Sequence, residues 1–384
     1  MRRSTSVIVA ALCVMTTSAA MAGRYQVRNL GSLGGSYTAG ISINRLGLIS
    51  GYANLPGDQS MHATLWLNGK PLDLGTLGGP NSGITWPVKN DYGVLVGIAE
   101  TAQLDPLGEN WSCSAFFPTV TGHVCHGFVW RWGHMHALPT LGGNNGFAAG
   151  ANNLGQVVGW AENTVHDPTC DPASKQVLQF KPVVWGPDDD DIQALPLIGT
   201  DTSGAATAIN DRGQIVGISG LCDQAVGRYS AIHAVLWQDH RAIDLGNLGG
   251  VAWNTPMAIN EFGVVVGFAN VPGGKSPASF HEHAFVWTAA TGMRDLGTLP
   301  GDSTSQALGI NDKGVIVGES CGATGCRAVL WRRDGHMVDL NTRVAPGYTD
   351  RLVFANDIND AGEITGGATN GTISSAFLAV PDRR

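Results

Sequence analysis

The stretch that decides the fold is AINEFGVVVG, residues 258–267. Its Asn, followed three residues later by Gly, suits a type I turn that ends in a left-handed residue. A short apolar segment precedes this turn, and a β-branched run follows it, as expected for two antiparallel strands. The stretch therefore predicts a β-hairpin, whose two strands we call a and b.

The spacing of this hairpin recurs along the whole chain. The first Gly always lies three residues after the Asn, and a second Gly follows four residues later. The seven Asn residues that open the pattern are Asn44, Asn90, Asn152, Asn210, Asn260, Asn311 and Asn359. Self-similarity at a period of roughly fifty residues is the signature of a repeat architecture.

Each unit carries two further candidate strands. A third segment, of the type HAFVW at 283–287, usually ends in Trp, and a polar turn leads to a fourth segment of the type DLGTLGG at 73–79. Four short strands, a to d, make one blade of a β-propeller. The units cover approximately residues 36–79, 80–141, 142–198, 199–250, 251–300, 301–341 and 342–384, and residues 25–33 complete the last one.

The two ends of the repeat region are complementary. The sequence YQVRNLG at 25–31 resembles a strand d with no a, b or c before it, whereas the last unit stops after strand c. Pairing of these ends would close a ring and leave no exposed edge strand. An open stack would need polar capping units, which the sequence lacks. We therefore predict one all-β domain, residues 23–384, folded as a closed seven-bladed propeller.

The repeated motifs also resemble a known family. The His-Ala-Phe of strand c, the Asp-Leu-Gly-Thr-Leu-Gly-Gly of strand d and the Ile-Asn-x-x-Gly-x-Val-Val-Gly core are similar to those of the bacterial HAF repeat family. The third, sixth and seventh units depart from it, with Lys181-Pro182, Arg327-Ala328 and Ser375-Ala376 in place of His-Ala. The resemblance implies an extracellular repeat protein and supplies no catalytic residues.

The first 22 residues have the features of a signal peptide. Arg2 and Arg3 precede an apolar stretch at 7–17 that is too short to span a bilayer, and Ala20-Met21-Ala22 forms a cleavage pattern. We therefore expect a secreted or periplasmic protein. Cleavage would change the formal net charge from −8 to −10, which disfavours nucleic acid as a partner. No membrane insertion is expected, and a monomer is the simplest expectation.

Cleavage also leaves six of the seven cysteines, because Cys13 lies in the signal segment. An even number of cysteines in an exported chain predicts disulfides. All six fall in the connections between strands b and c, although six cysteines allow fifteen pairings. The pairs that proximity favours are Cys113 with Cys125, Cys321 with Cys326, and Cys170 with Cys222.

Metal and cofactor sites receive little support. Histidines recur at one position of strand c, which favours a scaffold role over a local ligand set. His281 and His283, which flank Glu282, are weak metal candidates because alternate strand residues share one side. The run Asp188–Asp191 lacks the spacing of a calcium loop and is interpreted as a solvated acidic turn. No cofactor is predicted.

The function is sought in the variable connections, which a rigid scaffold would present. Two of them are long, at about 98–125 and 161–180, and are expected to be irregular. Aromatic residues in the variable connections are candidate binding platforms for a glycan or protein, and these are Trp111, Phe116, Phe117, Trp253 and Phe280.

No catalytic motif is present in the sequence. We therefore favour a non-catalytic binding scaffold for an extracellular or envelope ligand. Two alternatives stay open. One is a hydrolase or lyase of an extracellular polymer, with acids around the axial opening, and the other is a purely structural envelope protein. The candidate acids are Asp105, Glu109, Asp167 and Glu282.

Overall fold

The computed structural model describes residues 24–109, 113, 115–222, 231–239, 241–273 and 281–382. These residues form seven four-stranded antiparallel sheets that are the blades of a β-propeller, as predicted. The strands of the first four blades are β2 (Thr38–Ile43), β3 (Ile49–Asn54), β4 (Met61–Leu67), β5 (Lys70–Asp73), β6 (Gly78–Gly83), β7 (Leu95–Leu104), β8 (His123–Arg131), β9 (His134–Ala137), β10 (Gly142–Ala151), β11 (Val157–His166), β12 (Leu178–Trp185), β13 (Ile192–Ala194), β14 (Ser203–Ile209), β15 (Ile215–Gly220), β16 (His233–Gln238) and β17 (Arg241–Asp244).

The strands of the last three blades are β18 (Thr255–Ile259), β19 (Val265–Asn270), β20 (Glu282–Thr288), β21 (Gly292–Asp295), β22 (Asp302–Ile310), β23 (Ile316–Gly322), β24 (Gly325–Trp331), β25 (Met337–Asp339), β26 (Arg351–Ile358), β27 (Ile364–Thr369), β28 (Ser374–Pro381) and β1 (Tyr25–Asn29). A short 3-10 turn, Leu340–Arg343, joins the sixth and seventh blades.

The ring closes through its two ends. Strand β1 pairs antiparallel with β28, from Tyr25 opposite Pro381 to Asn29 opposite Phe377. It is therefore the outermost strand of the seventh blade. This confirms the closure predicted from the orphan segments.

The Asn turn has the expected hairpin geometry. In the fifth blade, the side-chain oxygen of Asn260 accepts hydrogen bonds from the backbone N–H groups of Phe262 and Val264, both at 3.0 Å. Gly263 follows in the left-handed region, with φ of 74°. An Asn side chain that bonds its own turn and a Gly without a Cβ are the residues this conformation favours.

The second Gly of the repeat faces an irregularity in the inner strand. In the third blade, a Cβ added to Gly159 would lie 1.9 Å from the carbonyl oxygen of Phe147. The pairing register of β10 and β11 shifts just beyond this point, between Ala148 and Gly150. A β-bulge of this kind turns the inner strand and moves its backbone toward the partner strand, so this position must be Gly.

The seven turn Asn residues also join the blades. The side-chain amide of each donates to the backbone carbonyl of the next, and the amide of Asn359 donates to Asn44 at 3.1 Å. The result is an uninterrupted ring of hydrogen bonds around the axis. Each Asn therefore shapes its own hairpin and also fixes the contact with the neighbouring blade.

The prediction for strand d was partly wrong. In DLGTLGG, Asp73 ends β5, and Gly78 already begins β6 of the next blade. The Asp73 carboxylate accepts a hydrogen bond from the N–H of Gly75 at 2.8 Å, and Gly75 has φ of 78°. This left-handed residue ends the strand, so the middle of the motif is a connection between blades.

The apolar core lies between neighbouring blades. One cluster combines Leu65, Phe128 and Trp185 from the first, second and third blades. The tryptophans that end strand c add polar contacts across the same boundary. For example, the indole N–H of Trp185 donates to the carbonyl of Pro139, which follows the last strand of the preceding blade, at 2.9 Å. These residues act as blade-to-blade packing.

The two flat faces of the ring differ. The turn face carries the a–b and c–d hairpins, and the loop face carries the b–c and d–a connections. On the loop face of the second blade, β7 continues to Leu104 and β8 begins at His123. In the third blade, β11 continues to His166 and β12 begins at Leu178. The two long connections are therefore partly extended hairpins, because cross-strand hydrogen bonds satisfy backbone groups that an irregular loop would leave unpaired.

Three disulfides lie on the loop face, and they are the pairs favoured by proximity. The pairs are Cys113–Cys125, Cys170–Cys222 and Cys321–Cys326. Cys170–Cys222 joins the b–c connections of the third and fourth blades. Disulfides of this kind are typical of an oxidising compartment. In the described part of the chain, no helix has the length and apolarity needed to cross a bilayer.

A buried pair of carboxyl groups joins the extended hairpins of the second and third blades. Glu109 accepts hydrogen bonds from the backbone N–H groups of Val177 and Leu178 at 2.8 and 2.6 Å. The side-chain amide of Gln176 donates to both Glu109 and Glu162. Burial, and then the neighbouring Glu109 charge, raise the pKa of Glu162 to about 8.

Candidate functional site

A cavity of about 350 Å³ opens on the loop face at the propeller axis. Its walls come from the first, second, sixth and seventh blades, and five of its side chains are aromatic. These aromatic residues are Tyr37, Tyr52, Trp86, Phe116 and Phe354. We call it the axial cavity. A concave site with several aromatic walls is a common binding site for small ligands and chain segments.

Strand direction explains why these side chains meet. Strand a runs toward the turn face, so residues at its start lie at the loop face, and strand b returns toward the loop face. Tyr37 immediately precedes β2, and Tyr52 lies late in β3. Their rings stack with centroids 5.9 Å apart and planes 10° apart. Burial raises the pKa of Tyr37, and it raises that of Tyr52 more strongly, so both phenols stay protonated at neutral pH.

A second aromatic group forms the neighbouring wall, from the second blade. Trp86, which follows β6, contacts Phe116 edge to face with centroids 6.2 Å apart. Phe116 in turn stacks on Phe147 at 5.1 Å. The indole nitrogen of Trp86 and the hydroxyl of Thr85 are buried and have no hydrogen-bond partner among the described residues. Both residues line the cavity, but these two atoms themselves are not accessible from it.

Carboxyl groups lie at the side of the axial cavity that the sixth blade forms, next to the fifth blade. Glu319, which lines the cavity, is opposite Gln306 in the sixth blade, and the Gln306 amide donates to Glu282 of the fifth blade at 3.3 Å. Burial, with a further contribution from the Glu282 charge, raises the pKa of Glu319 to about 7. No Lys, Arg or His lies among the described residues that line this cavity.

The predicted binding residues divide into three groups. Phe116 lies in the axial cavity. Phe117 is buried beside the Cys113–Cys125 disulfide and serves the core of the loop. Trp253 packs edge to face on Phe268, with centroids 5.4 Å apart, in a cluster that includes Trp86 and Phe354. Trp111 and Phe280 lie outside the described residues.

None of the four acids proposed for the enzyme alternative lines the axial cavity. Asp105 and Glu109 serve the extended hairpins, where Asp105 accepts a hydrogen bond from Asn145 at 2.8 Å. Asp167 accepts hydrogen bonds from Thr169 and Ser203. Glu282 is buried next to the cavity through its contact with Gln306.

The weak metal candidates are used differently. The ring nitrogen of His283 lies 2.8 Å from the Asp295 carboxylate, and the same pairing joins His62 to Asp73. His281 is exposed. Among the described residues, three groups of His, Cys, Asp or Glu side chains are close enough together to bind one metal ion. Each of these groups includes the two cysteines of a disulfide. Such sulfurs are not thiolates, so these groups do not form metal sites.

Glu319 and four of the cavity aromatics were not predicted from the sequence. Those aromatics, like Glu319, lie in or beside the repeated strands, where an aromatic residue is typical of the core. A signal for Glu319 was nevertheless present, because it stands eight residues after its turn Asn. The equivalent residues of the other units are Tyr52, Ile98, Trp160, Ile218, Phe268 and Gly367. A carboxylate at a position that is otherwise apolar or Gly indicates a special role.

Comparisons with known proteins agree with the fold. No protein-family model matches the chain, and no curated protein matches it. An oligogalacturonate lyase from Vibrio parahaemolyticus is similar in structure, with a TM-score of 0.50 and 9% identity over 93% of this chain and 91% of that one.

Two further structures cover the chain to a similar extent. The β-propeller domain of the Trilobed protease from Pyrococcus furiosus has a TM-score of 0.48 and 11% identity, over 94% of both chains. An oligogalacturonate lyase in complex with manganese has a TM-score of 0.48 and 13% identity, over 94% of this chain and 91% of that one. At these identities the similarity is one of fold alone.

Proposed function

We propose that this protein is an exported propeller that binds an uncharged or amino-bearing glycan in the axial cavity. The observation that carries the proposal is the convergence of five aromatic side chains on one cavity at the axis. Flat aromatic rings pack against the apolar faces of sugar rings, and such contacts contribute through buried area. The proposal commits to a glycan where the sequence allowed a glycan or a protein.

The polar groups of the cavity support the same ligand class. The side chains of Gln306 and Asn356 line the cavity, and amide groups can form hydrogen bonds with sugar hydroxyls. Glu319 adds an acceptor, or a negative charge above its pKa of about 7. A cavity whose described lining contains no cation disfavours sugar acids, because their carboxylates would be buried unpaired. Uncharged sugars and amino sugars meet no such penalty.

Export is part of the proposal. Residues 1–22, the predicted signal segment, lie outside the described residues. Support comes from the three disulfides, which persist in oxidising compartments. The resemblance to HAF repeat proteins is consistent with the same extracytoplasmic localisation.

Calorimetric titration of the mature chain, residues 23–384, tests the binding proposal. Chitin, cellulose and xylan oligosaccharides serve as uncharged or acetylated probes, chitosan oligosaccharides as amino-bearing ones, and alginate oligosaccharides as acidic ones. We expect binding in one of the first two groups and none to alginate. The changes Trp86→Ala and Phe354→Ala should each weaken binding about tenfold or more, which corresponds to the stacking contribution of one aromatic ring.

Trp132→Ala is the matched control, because Trp132 lies on the turn face and is 89% exposed. It should leave the dissociation constant unchanged. Near-ultraviolet circular dichroism would verify that each variant keeps its fold. Unchanged binding in both cavity variants, or tight binding of alginate only, would refute the proposal.

Hydrolysis of the bound glycan is a second candidate, favoured by one observation. Glu319 has a pKa near 7 and lies beside a second carboxyl group, Glu282. Glycosidases use such a pair, in which one member is protonated at working pH. In that case water would cleave the glycosidic bond and new reducing ends would appear on incubation. Glu319→Gln should abolish their release while leaving binding within a few fold, whereas a pure binder releases none.

A further inference from the structure

The turn face exposes several large apolar side chains. Four lie at the third position of the a–b turns, and the fifth, Trp132, lies in a c–d turn. Their exposed fractions are 79% for Leu46, 73% for Tyr92, 89% for Trp132, 63% for Leu154 and 64% for Phe262. Single exposed apolar residues are ordinary, but several on one face of a ring are typical of a surface that another macromolecule covers.

An acidic turn lies on the same face. The c–d turn of the third blade contains Asp188, Asp189, Asp190 and Asp191. Asp189 pairs with Arg131 of the second blade at 3.0 Å. The other three are exposed, and none of them forms an ion pair with a described residue. This turn therefore presents uncompensated negative charge to solvent.

A basic groove of about 660 Å³ lies between the fifth and sixth blades on the turn face. Four cationic side chains line it, all exposed and none ion-paired with a described residue: Arg294, Lys313, Arg332 and Arg333. Three acids also line the groove, so its cations exceed its acids by one. Asp295 binds His283, and Asp312 and Asp334 accept backbone N–H groups.

The acidic turn and the main part of the basic groove are geometrically equivalent. Asp188–Asp191 is the c–d turn of the third blade, and Arg332 and Arg333 are in the c–d turn of the sixth. Equivalent turns of a ring lie at the same distance from its axis. A two-fold axis that lies parallel to the turn face and passes midway between the two turns therefore relates two copies. In this arrangement the third-blade turn of each copy faces the sixth-blade turn of the other.

We propose that the turn face binds a second copy of this chain in a face-to-face dimer. The acidic turn of each copy meets the basic groove of the other, and this happens twice because the contact is symmetric. The apolar side chains of the four a–b turns lie nearer the axis than these two contacts and become buried, which resembles the apolar core and polar surround of known interfaces. This proposal replaces the expectation of a monomer.

The charges set the orientation of this contact, and the apolar residues supply most of the buried area. The two loop faces point away from each other in this arrangement. Each axial cavity therefore stays open, and the dimer does not depend on whether the cavity binds a glycan.

Sedimentation equilibrium of the mature chain, residues 23–384, is the first test. We expect a dimer whose dissociation constant increases at least about tenfold between low and high salt, because exposed charge pairs are screened. A wild-type chain that remains monomeric at about 100 μM protein in low salt would overturn the proposal.

Charge reversal is the second test. An acidic-turn variant carries Asp188→Lys and Asp190→Lys, and a basic-turn variant carries Arg332→Asp and Arg333→Asp. Each alone should be monomeric, because its turns then face like charges. Their mixture should form a one-to-one heterodimer, because both contacts regain opposite charges.

The matched control reverses exposed charges on the loop face, with Asp171→Lys and Lys175→Asp, and should dimerise as the wild type does. The altered side chains are all exposed, and thermal melting would verify that the variants are folded. Dimerisation of either single variant, or a mixture that stays monomeric, would overturn the assigned contact.

Discussion

Replacement of Glu162 by Gln tests the buried carboxyl pair of the second and third blades. Glu162 is fully buried, and its carboxyl group accepts hydrogen bonds from the N–H of Asn145 at 2.8 Å and from Gln176 at 2.9 Å. Its pKa rises from an ordinary 4.5 to about 8 on folding. Between these values the folded protein keeps a proton that the unfolded chain has lost.

The unfolded chain therefore binds fewer protons in this range, and the free energy of unfolding must fall as pH rises from about 4.5 to about 8. The slope for one proton reaches about 1.4 kcal/mol per pH unit. Glu162→Gln keeps the shape and removes the ionisation. At pH 5 the variant should lose about 1 kcal/mol, because its amide cannot accept every hydrogen bond. At pH 9 the variant should be more stable than the wild type by about 2–3 kcal/mol, because the wild type must then bury the charge of ionised Glu162. Partial relaxation of the buried site keeps this difference from being larger.

The assay is urea unfolding followed by tryptophan fluorescence at pH 5, 7 and 9, with the disulfides intact. Glu109→Gln is a second variant, and it should lower the pKa of Glu162 by removing the neighbouring charge. Asp190→Asn, on an exposed turn, is the control and should follow the wild-type profile. If the stability difference between Glu162→Gln and the wild type does not change with pH, the raised pKa is wrong.

Two further changes test the scaffold. Gly159→Ala should destabilise the protein by about 3 kcal/mol or more, because its Cβ would lie 1.9 Å from a carbonyl oxygen. Gly155→Ala, which has open space around the new Cβ and only a positive φ, should cost about 1 kcal/mol. Equal melting temperatures for the two variants would contradict the bulge argument. The double change Cys170→Ser and Cys222→Ser removes a disulfide that closes a loop with a sequence separation of 52 residues, and it should cost about 4 kcal/mol of stability. A melting temperature equal to that of the wild type would show that this disulfide contributes nothing.

The fold could be predicted because its determinants are local and repeated. The turn Asn with its two Gly residues specifies a hairpin wherever it occurs, and seven copies make the blade count readable. Ring closure followed from the orphan segments at the two ends. What failed was the extent of strand d, because the left-handed Gly75 ends the strand inside a motif that looks continuous.

The extended hairpins of the second and third blades were also unexpected. Their sequences lack the alternation of a half-buried strand, yet β7 and β11 continue to Leu104 and His166 because each has a cross-strand partner. The disulfides were predicted correctly because two of the pairs are close in sequence. The third pair followed by elimination.

The candidate site was mostly hidden from the sequence. Phe116 was predicted because it lies in a variable connection. Tyr37, Tyr52 and Phe354 instead lie in or beside repeated strands, where nothing in the sequence distinguishes a cavity wall from the core. Their convergence depends on the ring, which brings distant units to one axis. Of the cavity residues that were not predicted, Glu319 could have been found by comparing equivalent repeat positions.

The closed circle of Asn contacts constrains how such a protein can evolve. An open repeat array can gain or lose one unit at a time, because each unit touches only its neighbours. Here Asn359 must reach Asn44 with the same geometry that every other pair uses. A gene duplication that added an eighth unit would change the angle between every pair of adjacent blades at once. The number of units is therefore constrained by the one inter-blade angle that all the Asn contacts require.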